Sequence, residues 1–159
     1  MPALMWGVQS PLPVASRLMR SMDKSLGDGG MALLSQIGLN FDSYGEGWVE
    51  ATWNPTPLAC NPMGGVHGGV YGVVHDAAMN FATNSALEKG EHGATISISY
   101  STLRGAASGD VLSVRGEVVR VTKQIAYLTT TISNAEGEPV STATGTFFLR
   151  RRPAAEPTT

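Results

Sequence analysis

The sequence predicts an α+β fold in which one long central helix is wrapped by a curved antiparallel sheet. Three observations carry this. Residues 66–87 form a single long run with helical period, apolar nearly all round. Four β-branched runs follow in succession, joined by hairpin-length separators. A pair of short apolar runs around a glycine turn precedes the helix. A sheet that curves around one helix solves the burial problem this pattern poses.

The elements follow in order. Residues 1–30 read as an N-terminal extension with an extra helical segment: Pro11 and Pro13 oppose an early helix, then "VASRLMRSMDKSL" (14–26) gathers Leu18, Met19, Met22 and Leu26 on one side, and "GDGG" ends it. "MALLSQIG" (31–38) is a second short helix closed by Gly38. "LNFDSYGEGWVEATW" (39–53) is a hairpin, and "NPTPLACNPMGG" (54–65) a Pro/Gly/Asn loop. In the central helix Val70, Val74, Ala77, Ala78, Phe81, Ala82 and Ser85 recur at spacings of three and four. "EKGEHGA" (88–94) leaves the helix, and strands are expected at 95–103, 111–121, 125–133 and 139–149. The main domain is 31–149, and 150–159 is a flexible tail.

Composition narrows the function. A chain of 159 residues suits one domain with a real core. With 15% charged residues, a net charge of −2 and no basic stripe beyond Arg150-Arg151-Arg152, there is no electrostatic case for nucleic acid or an anionic membrane. Cys60 is the one cysteine, so no internal disulfide is expected and a reducing, cytoplasmic setting is the default. Neither a signal peptide nor a spanning helix is legible at the N-terminus.

The stretch "NPMGGVHGGVYGVVHD", Asn61 to Asp76, resembles the signature of hotdog-fold acyl-CoA thioesterases of the phenylacetic-acid-degradation (PaaI-like) group. The strand pattern of 94–147 extends the likeness to roughly residues 31–149. The resemblance implies a hotdog fold, a homodimer or a homotetramer built as a dimer of dimers, active sites at the dimer interface, and hydrolysis of an acyl-CoA to the free acid and CoA. No cofactor is expected beyond the CoA of the substrate itself. No metal is expected either, because His67, His75 and Asp76 lack zinc-site spacing.

Such hydrolysis needs an activated water or nucleophile, an oxyanion donor and a grip on CoA. The resemblance makes Asp76 the catalytic acid, as base or nucleophile. A carboxylate inside an apolar helix is costly unless paired or functional, and burial would make it a better base. Gly68 and Gly69 open the helix, where amides lack intrahelical partners and glycine allows close approach, so the Gly68 N–H is the oxyanion donor. Asn61 could donate to the thioester carbonyl or orient water, or simply form an Asn-Pro turn. His67 is expected to hold Asn61 or its loop through a ring hydrogen bond. The resemblance also places a hydroxyl or acid near the catalytic acid on the following strand, Thr95 or else Ser97, and Lys123 at a family glycine-cation turn, where Thr122 replaces the usual glycine; Arg120 and Lys123 could meet CoA phosphates or form only a solvated hairpin tip. His75 departs from the family pattern and is expected as a satisfied polar group at the interface. Met79, Phe81 and Tyr71 could shape an aromatic or a medium-chain acyl pocket, which residues 1–30 could cap.

Spacing adds one inference. Gly68 and Asp76 lie eight residues apart, roughly 12 Å at about 1.5 Å per residue. One thioester carbon cannot lie about 3 Å from both, so the site should be composite: Asn61 and Gly68 from one subunit, Asp76 from another. Two other readings stay open. A hotdog dehydratase or hydratase would need a His/acid pair placed differently, and a non-catalytic member would bind acyl-CoA without cleaving it. Cys60 near His67 suggests a thiol nucleophile, but no third residue completes that arrangement.

Overall fold

The computed structural model describes residues 31–88 and 90–152. The helix expected at 14–26, any cap it forms, and the tail from 153 lie outside the described residues. Helix α1 (Ala32–Ile37) ends at Gly38, whose φ of 90° is the left-handed cap the sequence asked for. Strands β1 (Leu39–Gly45) and β2 (Trp48–Trp53) form the hairpin, and a 3₁₀ turn at Pro57–Ala59 interrupts the loop after it. Helix α2 (Gly68–Ser85) is followed by β3 (His92–Thr102), β4 (Leu112–Val121), β5 (Ile125–Ser133) and β6 (Pro139–Arg150).

The six strands make one antiparallel sheet in the order β1-β2-β4-β5-β6-β3. The four late strands are therefore not a simple meander. The chain crosses from β2 through α2 to the far edge, lays down β3 against β6, and returns through 103–111 to start β4 beside β2. Strand β3 also begins earlier than the sequence indicates, because His92, Gly93 and Ala94 already pair with Arg150, Leu149 and Phe148.

Helix α2 has two faces. Tyr71, Val74, His75, Ala78, Ala82 and Ser85 are buried toward the sheet, with Trp53, Val114, Leu128, Ile132 and Phe147 in the same core. Each such large apolar side chain contributes about 1.5–3 kcal/mol when fully buried. Small residues let the helix lie close: a Cβ at Gly116 of β4 would come within 2.9 Å of the Ala78 carbonyl oxygen. The other face, at Gly69, Gly72, Val73, Asp76, Ala77 and Asn80, borders an open cavity instead.

Strand β3 carries a bulge between Thr95 and Ser97. One extra residue inverts the facing of everything after it. Thr95 and Tyr100, an odd number of positions apart, consequently both reach α2, while Ser97 bonds Thr146 at 2.8 Å.

Candidate active site

The cavity on the open face of α2 has a volume of about 660 Å³, a size suited to a small-molecule ligand. Its walls are mostly apolar, with Met31, Leu33 and Leu34 at α1, Val73, Ala77 and Phe81 on α2, and Tyr100 on β3. Asp76 is the single ionisable carboxylate among these lining residues.

Asp76 is half-buried in the cavity wall, not sealed in the core as its apolar neighbours in sequence suggested. The helical step of about 100° per residue explains this: His75 turns to the sheet and Asp76 to the cavity. The Thr95 hydroxyl donates to Asp76 Oδ1 at 2.6 Å. Of the two hydroxyls the sequence offered, the bulge selects Thr95 and directs Ser97 away.

The start of α2 is open. Gly68 and Gly69 are exposed, and a Cβ at Gly68 would meet nothing within 4 Å. No acceptor among the described residues takes the Gly68 N–H. The Gly69 N–H is already used, donating to His67 Nδ1 at 3.0 Å. His67 thus caps the helix, and its ring bonds the helix start, where a bond to Asn61 or its loop was expected. Asn61 Oδ1 accepts from the amides of Met63 (3.0 Å) and Gly65 (3.3 Å), which is an Asx turn. That occupies the side-chain oxygen and leaves the amide NH₂ to donate. The loop is fixed from outside by the crossover, through Val66 N–H to the Ala106 carbonyl at 2.9 Å.

The family model for the thioesterase superfamily matches residues 63–141, from the Asx turn through α2 into β6. Over that stretch, just under half of its length, the chain is similar to the thioesterase superfamily. Its fold is the hotdog fold, one main helix against a six-stranded antiparallel sheet. It is 31% identical to a Haemophilus influenzae protein provisionally named an esterase, over 49% of this chain and 56% of that protein. The chain thus spans little more than half the length of that curated relative. A hypothetical thioesterase of Streptococcus pneumoniae, solved with coenzyme A, is 25% identical with a TM-score of 0.69, over 76% of this chain and 93% of that one. The same protein was also solved as aspartate-to-alanine and threonine-to-alanine variants. The PaaI protein of E. coli, from the phenylacetic acid degradation operon, shares the fold with a TM-score of 0.76 at 23% identity, over 91% of this chain and 98% of that one.

Three expectations need correction. His75 is not at a surface. It is 0% exposed inside the single chain, with Nε2 2.8 Å from Ser141 Oγ. Because Ser141 Oγ donates to the Ser101 carbonyl, it accepts from Nε2–H, and Nδ1 is buried without a partner. Burial pushes the His75 pKa down to about 4. Met79 and Tyr71 do not shape the cavity either: both are core residues, Met79 over Gly145 and Tyr71 edge-on to Trp53 with ring centroids 5.6 Å apart. Of the three candidates only Phe81 lines it.

Arg120 and Lys123 are exposed at the β4–β5 hairpin and are not among the cavity-lining residues. Neither is in an ion pair among the described residues. The hairpin turn is braced by Arg151, which donates to the Thr122 and Lys123 carbonyls at 3.1 and 3.2 Å and reaches Glu91 at 3.5 Å. Sequence reasoning missed Tyr100 and the α1 wall. Tyr100 donates to the Gly68 carbonyl at 2.8 Å, a contact that only the β3 bulge makes possible.

No helix among the described residues is long and apolar enough to cross a membrane.

Proposed function

We propose that this protein hydrolyses an acyl-CoA thioester to the free acid and CoA, in the cytoplasm. One arrangement carries the reading: a hydroxyl-held carboxylate, Asp76, lines an acyl-sized apolar cavity that reaches the start of α2 at Gly69, next to the free Gly68 N–H. The acyl chain lies in the cavity. Asp76, its Oδ1 held by Thr95, acts as general base: Oδ2 takes a proton from a water whose oxygen attacks the thioester carbon. The negative charge that develops on the carbonyl oxygen meets the Gly68 N–H and the positive end of the helix dipole, with the Asn61 NH₂ as a second donor. The intermediate collapses, the C–S bond breaks, and the CoA thiolate recovers the proton from Asp76.

The working site is composite, with Asn61 and Gly68 from one subunit and Asp76 from its partner, so a homodimer, alone or paired into a tetramer, is the active form. Arg120 and Lys123 meet CoA phosphates, in keeping with the coenzyme A held by the Streptococcus pneumoniae relative. A dehydratase or hydratase would need its His/acid pair placed at other positions than these.

The test is CoA release from short, medium, long and aromatic acyl-CoAs. Asp76→Asn should lower kcat by about 10²- to 10⁴-fold. Mixing inactive Asp76→Asn and Asn61→Ala subunits should restore activity up to roughly a quarter of wild type, because each mixed dimer contains one site free of both changes. An Asp76→Asn enzyme of full activity would refute the base assignment. Absence of complementation after verified subunit exchange would refute the composite site.

A further inference from the structure

We propose that Tyr100 is a positioning residue whose hydroxyl clamps the glycine-rich first turn of α2 and so holds the Gly68 amide in place for the thioester oxygen. The inference rests on the hydrolase reading above and assigns it a residue that neither the motif nor the family resemblance singled out.

The first turn of α2 is built from poor helix formers. Gly68, Gly69 and Gly72 occupy three of its first five positions, and glycine is among the least favourable residues in a helix. A donor that must be aimed at a developing charge cannot sit on a fraying turn. Two side chains restrain it. His67 Nδ1 accepts from the Gly69 N–H at 3.0 Å, and the Tyr100 hydroxyl donates to the Gly68 carbonyl at 2.8 Å. The second bond comes from a sheet strand and ties the helix start to the rigid part of the fold.

The ring of Tyr100 has a built seat. It crosses the helix at Gly72, where a Cβ would lie 2.9 Å from Cε1 and 3.2 Å from the hydroxyl. Glycine at 72 is thus required by the ring. Behind the ring stands His75, with centroids 5.6 Å apart and planes at 39°. His75 is itself pinned through Nε2 to Ser141, which bonds the carbonyl of Ser101, the neighbour of Tyr100 on β3. This gives His75 a role: it is the prop that fixes the clamp.

Tyr100 also lines the cavity, so a simple wall must be told apart from a clamp. Tyr100→Phe keeps the ring and removes only the hydroxyl. It should lower kcat about five- to tenfold for every acyl chain length alike, leave KM within about twofold, and speed amide hydrogen exchange at residues 68–72. Gly72→Ala should displace the ring and give the same kcat defect, although alanine favours the helix. The double variant should be no worse than either single one. A Tyr100→Phe enzyme with wild-type kcat and unchanged exchange overturns the clamp, as does a defect confined to KM or to one chain length. If the wild type cleaves no acyl-CoA, the hydrolase reading fails and the proposal with it as a catalytic statement, whereas the exchange measurement still decides whether the clamp exists.

Discussion

Acid should destabilise this protein through the buried side chain of His75. The ring is 0% exposed, and burial lowers its pKa from 6.5 to about 4 in the folded chain. The folded state therefore keeps the ring neutral while the unfolded chain takes up a proton near pH 6.5. The stabilisation is fully present above pH 6.5 and is lost as pH falls toward 4. At about 1.36 kcal/mol per unit, the loss reaches about 3 kcal/mol at pH 4, a large share of the 5–15 kcal/mol typical of whole domains. The assay is urea unfolding at fixed protein concentration across pH 7 to 4, comparing wild type with His75→Leu. Glu91 and Glu138 also titrate: burial raises Glu91, but bonds from the Arg152 and Glu88 amides and Arg151 lower it further, and Asn134 and Arg104 lower Glu138. Both carboxylates are common to the two proteins, so their contribution cancels in the difference. The variant should be less stable at pH 7, and its curve should be flatter by about 3 kcal/mol over this range. Parallel curves for the two proteins would refute the reasoning.

Two further outcomes follow from packing. Gly116→Val should destabilise the fold by about 1–3 kcal/mol or more, seen as a lower Tm, because even a Cβ at this position crowds the Ala78 carbonyl of a helix that cannot lift from the sheet without opening the core. Phe81→Ala should enlarge the cavity and shift kcat/KM toward longer or bulkier acyl chains, by about tenfold between the best short and long substrates. An unchanged chain-length profile would mean that the acyl group does not occupy this cavity.

Much of the fold was legible because its elements are locally determined. The 3.6-residue period of α2, the β-branched alternation of β4 to β6, and Gly38 at a helix end each depend on neighbours in sequence. Asp76 was legible because the resemblance places an acid at this position, and Thr95 as one of two hydroxyls, between which the bulge of β3 decides. The order of strands was not legible. Short separators suggest that β3 lies beside β4, yet β3 closes the opposite edge against β6. Which partner a strand selects depends on long-range burial, and hairpin-length loops do not encode it.

The sequence by itself determined that one long helix must be covered by an antiparallel sheet, that the helix opens on glycines, and that an acid sits one step from a histidine along it. Tertiary structure decided what those residues do. A helix of 18 residues that looked apolar all round turned one face to the sheet and left the other on a cavity, so neighbours His75 and Asp76 went to opposite environments. A single extra residue in β3 then brought Thr95 to Asp76 and Tyr100 to Gly68. A bulge has no local sequence signature strong enough to read here, because it is selected by the packing of the strand against both its neighbour and the helix.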